Sequence, residues 1–170
     1  EAFVQRMNET ARELGMTAEY ENSHGAHVHY LTARSQAILV REFIQRYPQI
    51  LDYTSLTGVS FNGKWYPNTN KLLPGLDYAY EGADGFKTGT ITAAGYCLSA
   101  TAVKNGRRII SVVMKSSNDR THHTDSAALL DYGFAQLEYQ SPYDDVAYHW
   151  CREDVAGLKE LGVEFHAQED

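Results

Sequence analysis

Phe3, Met7, Ala11 and Leu14 recur at helical spacing and stop at Gly15, so the chain opens inside or just before an amphipathic helix that the glycine ends. After a polar loop, Thr32 caps a second predicted helix over residues 33–47. Its apolar side carries Ile38, Leu39, Val40, Phe43 and Ile44, and Pro48 stops it. From Gly58 the pattern changes: GVSFNGKWYPN alternates apolar and polar residues about Asn62-Gly63, a pair suited to the positive φ angles of a tight hairpin turn. Asn105-Gly106 repeats the device between residues 96–103 and 108–114, which should therefore pair antiparallel, with Lys87 on the strand just upstream. Asn118 or Asp119 then caps a third long helix, in which Ala127, Leu130, Phe134 and Leu137 form an apolar stripe despite Gly133. Helices, then strands, then a helix predict an α+β fold, an antiparallel sheet packed with helices.

Composition narrows the function classes. With 170 residues, 43% of them hydrophobic, and only 4 prolines, the chain can bury a real core, and one domain with an appendage is the expected organisation. A net charge of -7 without a block of lysines or arginines argues against nucleic acid as a partner, because such binding rests on clustered positive charge. No apolar run approaches the ~20 residues that span a bilayer, and residues 1–16 lack the regions of a signal peptide, so the chain as given reads as soluble. Beginning at Glu1 inside a helical pattern, it also reads as a cut chain. Cys97 and Cys151 lie far apart, and Cys97 sits in an apolar alternating run that suits a small buried side chain better than half of a disulfide.

The stretch GADGFKTGTITAAGYC, residues 82–97, carries the chemistry. Lys87 stands between Gly85 and Gly89, which leave room for another backbone, and Thr88 adds a hydroxyl beside the ammonium. That combination suits an extended, anionic ligand. An isolated Lys-Thr-Gly equally serves as a solvated strand end with glycines for a turn, so its surroundings must decide. Among other polar clusters, His24, His27 and His29 could ligate zinc but lack a clear fourth ligand, so no metal is expected. His122 and His123, at a helix start, read as solvated.

The surroundings decide through a resemblance. DGFKTGTITAAGYCLSATAVKNGRRIISVVM is similar to the third motif and following hairpin of the penicillin-recognising serine D-alanyl-D-alanine carboxypeptidases, the low-molecular-mass penicillin-binding proteins. FVQRMNETARELGMT, NSHGAHVHYLTAR, FNGKWYPNTNKLL and LLDYGF extend it over roughly residues 3–138, in the family's order. The resemblance implies part of a β-lactamase/transpeptidase-like domain over residues 1–140. It also implies acyl transfer on a peptidoglycan stem peptide ending in D-Ala-D-Ala, inhibited by β-lactams and needing no cofactor. Lys87, Thr88 and Gly89 would form the catalytic strand, holding the terminal carboxylate. The N–H of Thr90 would serve the oxyanion hole, and Asn70, Lys71, His24 and Arg120 would line the cleft. Family members often carry an arginine where this chain has Thr69.

One departure outweighs the matches. The nucleophile motif SxxK is absent from these residues, and SxN occurs only as Ser60-Phe61-Asn62 and Ser116-Ser117-Asn118, in a hairpin and a strand-to-helix turn that read as structural. The chain is therefore expected to be the downstream part of the catalytic domain, inactive alone, with the missing N-terminal half as its partner and the bacterial cell envelope as its location. A non-catalytic wall-binding or scaffold protein that keeps the fold is the competing reading, and a β-lactamase a third. Residues 143–163, within a tail over 141–170, resemble the first half of an S-layer homology motif or, on the helical spacing of Val155, Leu158 and Leu161, a helix packed on the main domain.

Overall fold

The computed structural model describes residues 1–25 and 29–138, and the tail from 141, with Cys151, lies outside them. Helix α1 (Ala2–Glu13) ends as the sequence predicts, with Gly15 at φ +67 and the Met16 N–H donating to the Ala11 carbonyl at 2.9 Å. Only the C-terminal part of its stripe is buried: Ala11 is enclosed, whereas Phe3 is 67% exposed. The Asn8 amide brackets the Tyr20 backbone, donating to its carbonyl at 2.8 Å and accepting from its N–H at 2.9 Å, and so ties α1 to the chain after β1 (Ala18–Glu19). That strand pairs with β2 (Tyr30–Leu31), a two-residue ladder too short for a sequence pattern to reveal.

Helix α2 (Ala33–Arg46) has the expected cap, the Thr32 hydroxyl accepting from the Ser35 N–H at 3.1 Å. Val40 and Ile44 are buried, but Phe43, expected in the core, is 39% exposed. It lies at the helix edge, its ring against Phe86 and Tyr47, because a stripe of five residues within seven positions is wider than the face the sheet covers. A short 3₁₀ turn (Pro48–Ile50) and α3 (Leu51–Thr54) lead into the predicted hairpin of β3 (Gly58–Phe61) and β4 (Lys64–Pro67), turned by Asn62 and Gly63 at φ +49 and +72.

The main sheet runs in the order β5 (Ala83–Ile91), β6 (Gly95–Lys104), β7 (Arg107–Ser116), all antiparallel. Asn105 and Gly106 turn β6 into β7 at φ +51 and +73, as expected. Central β6 is the most enclosed strand, with Leu98, Ser99, Ala100, Thr101 and Ala102 all buried, and its small side chains let elements approach both faces. Leu72, Leu73 and Leu130 complete that core.

Helix α4 (Asp119–Glu138) is capped by Asn118, whose Oδ1 accepts from the Arg120 and Thr121 N–H groups at 3.0 and 2.9 Å. Its buried face starts earlier than the sequence reading placed it. His122 and His123, read as solvated, are enclosed and continue through Ser126 to Leu130 at helical spacing, so the pair is core rather than surface. Of the two SxN matches, Asn62 stands in a turn and Asn118 caps this helix. Compactness divides the chain into residues 1–133 and 134–170, a boundary inside α4.

Candidate active site

The site is assembled on β5, an outer strand of the main sheet among the described residues. Its start is fixed on both sides. The Thr54 hydroxyl donates to the Asp84 carbonyl at 2.9 Å, and a Cβ on Gly85 would lie 2.7 Å from that same hydroxyl oxygen, so only glycine lets α3 close on the strand here. From the far strand, the Arg108 guanidinium donates to the Asp84 carboxylate at 2.8 Å and to the Thr101 hydroxyl at 2.6 Å, bracing β5 through β6 to β7. Beyond this clamp the strand opens. Lys87 and Gly89 pair with Ser99 and Cys97 of β6, Lys87 is exposed, and nothing lies within 4 Å of a Cβ on Gly89. The Lys87 ammonium donates to the Thr88 carbonyl.

Lys87, Thr88 and Gly89 border an open depression of about 260 Å³, shared with Gly25, His29, Gln36 and the half-buried, unpaired Cys97. Gly25 belongs to an Asx turn in which Asn22 Oδ1 accepts from the His24 and Gly25 N–H groups at 3.2 and 2.8 Å, which brings the His24 turn to the depression. Thr90 is exposed beyond Gly89.

The loop after β4 is fastened to β5, and its residues are pinned one after another. Asn68 donates to the Leu56 carbonyl at 2.9 Å and accepts from the Asn70 N–H at 2.9 Å. Asn70, expected as a cleft residue, is only 1% exposed. Its amide donates to the Gly85 carbonyl at 2.9 Å and accepts from the Leu72 N–H at 3.2 Å, so it fastens the loop beneath β5 and has no face for a ligand. Between these two anchors Thr69 stays exposed and its hydroxyl meets that of Thr88 at 2.6 Å. Lys71 donates its backbone N–H to His123 Nε2 at 3.0 Å.

That bond defines the state of His123. Nε2 is an acceptor, so the ring proton sits on Nδ1, which donates to the Asp119 carbonyl at 2.7 Å. Burial holds its pKa below the ordinary histidine value, the bond to Asp119 opposes this and the neighbouring His122 adds to the lowering, so the ring is a neutral fastener stacked on Tyr78 at 5.2 Å. Asp119, His122 and His123 offer ligand atoms within 4.8 Å of one another, yet both His123 nitrogens are already engaged, which disfavours a metal. His29 Nδ1 accepts from the Glu21 N–H at 3.2 Å, and His27 lies outside the described residues. Arg120 is exposed in the first turn of α4, and no hydrogen bond among the described residues joins its side chain to β5.

The structure thus gathers Lys87, Thr88, Gly89, Asn70 and Lys71, and adds Thr69 and His123. A signal for His123 existed: it precedes Leu130 by seven residues, two helical turns on the same face.

An outer strand bearing Lys-Thr-Gly beside an open depression, on an antiparallel sheet backed by helices, defines the class of penicillin-binding and transpeptidase folds, and sequence comparison makes this specific. The chain belongs to the D-alanyl-D-alanine carboxypeptidase family, whose sequence pattern matches residues 1–118. It is 34% identical over 151 residues to the D-alanyl-D-alanine carboxypeptidase DacF of Bacillus subtilis, covering 84% of this chain and 38% of that protein. With DacC of Escherichia coli it shares 35% identity over 145 residues, covering 84% and 36%. The chain therefore spans little more than a third of these relatives. Among solved structures, penicillin-binding protein 5 of Haemophilus influenzae matches with a TM-score of 0.71 at 34% identity, over 78% of this chain and 39% of that one. The cefotaxime-bound penicillin-binding protein D2 of Listeria monocytogenes matches at 0.70 and 31%, over 78% and 55%.

Proposed function

We propose that residues 1–140 form the downstream part of a serine D-alanyl-D-alanine carboxypeptidase domain, acting in the bacterial cell envelope on peptidoglycan stem peptides. The observation that carries this is the Lys87-Thr88-Gly89 strand, clamped by Asp84 and Arg108 behind and open at Gly89 in front, in a chain of this family. In this reading a serine outside the 170 residues attacks the carbonyl of the penultimate D-alanine. The serine oxygen to carbon bond forms, the carbon to nitrogen bond breaks, and the departing D-alanine amine takes a proton; water then cleaves the ester. Lys87 and the Thr88 hydroxyl hold the terminal carboxylate by charge-assisted hydrogen bonds, and the Thr90 N–H donates to the oxygen on which negative charge develops. β-Lactams, such as the cefotaxime bound by the Listeria protein, would occupy the same strand.

The absence of SxxK from residues 1–170 favours one second reading, a wall-binding scaffold that keeps the fold without the chemistry. Release of D-alanine from a synthetic stem pentapeptide by the protein made from its whole reading frame separates the two. The enzyme reading predicts turnover that falls about ten- to a hundredfold in Lys87→Ala, the scale of one lost charge-assisted hydrogen bond. No release by the unaltered protein supports the scaffold.

A further inference from the structure

Thr69 and Thr88 lie on different elements, yet their hydroxyl oxygens are 2.6 Å apart. The contact is held in place from behind. Asn68 and Asn70 are each bonded to backbone on neighbouring elements, and Lys71 is fastened to buried His123, so Thr69 has fixed residues on both sides. Two hydroxyls at this distance share one proton, and two arrangements exist. If Thr88 donates, its only proton is spent on Thr69, and it shows a ligand nothing but lone pairs. If Thr69 donates, the Thr88 proton is free to point into the cleft beside the Lys87 ammonium. An anionic ligand selects the second arrangement, in which the bond from Thr69 also polarises Thr88 and strengthens its own donation.

We propose that Thr69 is a positioning residue that fixes Thr88 as a hydrogen-bond donor and so makes this end of the cleft selective for a carboxylate over a neutral group. The inference rests on the functional reading above and deepens it. In this reading Thr69 acts on the ligand through Thr88. Its hydroxyl, exposed and bonded to one partner, sets what its partner can offer.

The test is the rate of acylation of the whole-reading-frame protein by benzylpenicillin and by its methyl ester, which lacks the charge, for the unaltered protein, Thr69→Val and Thr69→Ser. Urea midpoints accompany the rates to show that each variant folds. For the acid, Thr69→Val should acylate about tenfold more slowly, mainly through weaker binding before the chemical step, the scale of one hydrogen bond to a charged group. For the ester the same substitution should change the rate less than about twofold, and Thr69→Ser, which keeps the hydroxyl, should recover most of the loss with the acid. Equal rates for Thr69→Val and the unaltered protein with the acid, or equal losses with acid and ester, overturn the assignment of Thr69 alone. An unaltered protein that takes no acyl group from either compound overturns the functional reading, and this inference with it.

Discussion

Replacing Asn70 by alanine should destabilise the protein by about 2–6 kcal/mol, because two buried backbone groups lose their partners at about 1–3 kcal/mol each. The side chain is 1% exposed, donates to the Gly85 carbonyl at 2.9 Å and accepts from the Leu72 N–H at 3.2 Å. Neither backbone group has easy access to replacement water, and Gly85 lies two residues ahead of Lys87, so the damage is local to the catalytic strand. Asn70→Asp sharpens the expectation. The carboxylate still accepts from Leu72 but can no longer donate to Gly85, so it sets a buried negative charge against a carbonyl oxygen and should cost at least as much as alanine. Urea unfolding, with midpoints compared at unchanged slope, measures both. An alanine variant within about 0.5 kcal/mol of the unaltered protein, or an aspartate variant milder than alanine, would refute the view that Asn70 fastens the loop to β5.

Two further predictions concern β5 and the helix that fastens the neighbouring loop. His123 stays neutral when folded, whereas in the unfolded chain it titrates near its ordinary value of about 6.5. Above that pH both states are neutral and its contribution is complete. As pH falls toward the lowered folded value only the unfolded chain gains the proton, so stability should drop by up to about 1.4 kcal/mol per pH unit. Urea midpoints between pH 7.5 and 5.5 should therefore fall less steeply in His123→Gln, itself less stable at neutral pH; parallel profiles would contradict this. Gly85→Ala should cost about 1–3 kcal/mol by driving a methyl into Thr54, whereas Gly89→Ala, facing open space, should leave the urea midpoint unchanged while impairing ligand approach.

The elements most legible in the sequence were those fixed by local chemistry. Both Asn-Gly turns, the Thr32 cap and the Gly15 stop depend on residues within five positions of one another, and each stands where the pattern placed it. Phe43 and the two histidines were misread for one reason: which stripe of a helix is buried depends on what packs against it, and that partner is distant in sequence. The site divides in the same way. Lys87, Thr88 and Gly89 are contiguous and carried their resemblance with them. The Thr69 contact spans 19 positions, the Asn70 contact 15 and the His123 contact 52, distances that no local pattern encodes.

The central claim is that the Lys87 strand is one side of an acyl-transfer site whose nucleophile lies outside these 170 residues. Intact-mass spectrometry and peptide mapping after exposure of the whole-reading-frame protein to benzylpenicillin test it directly. The account predicts a single covalent penicilloyl group, on a serine outside residues 1–170, whose formation slows sharply in Lys87→Ala. A stable adduct on a serine within these residues, such as Ser60 or Ser116, or none at all, would contradict it.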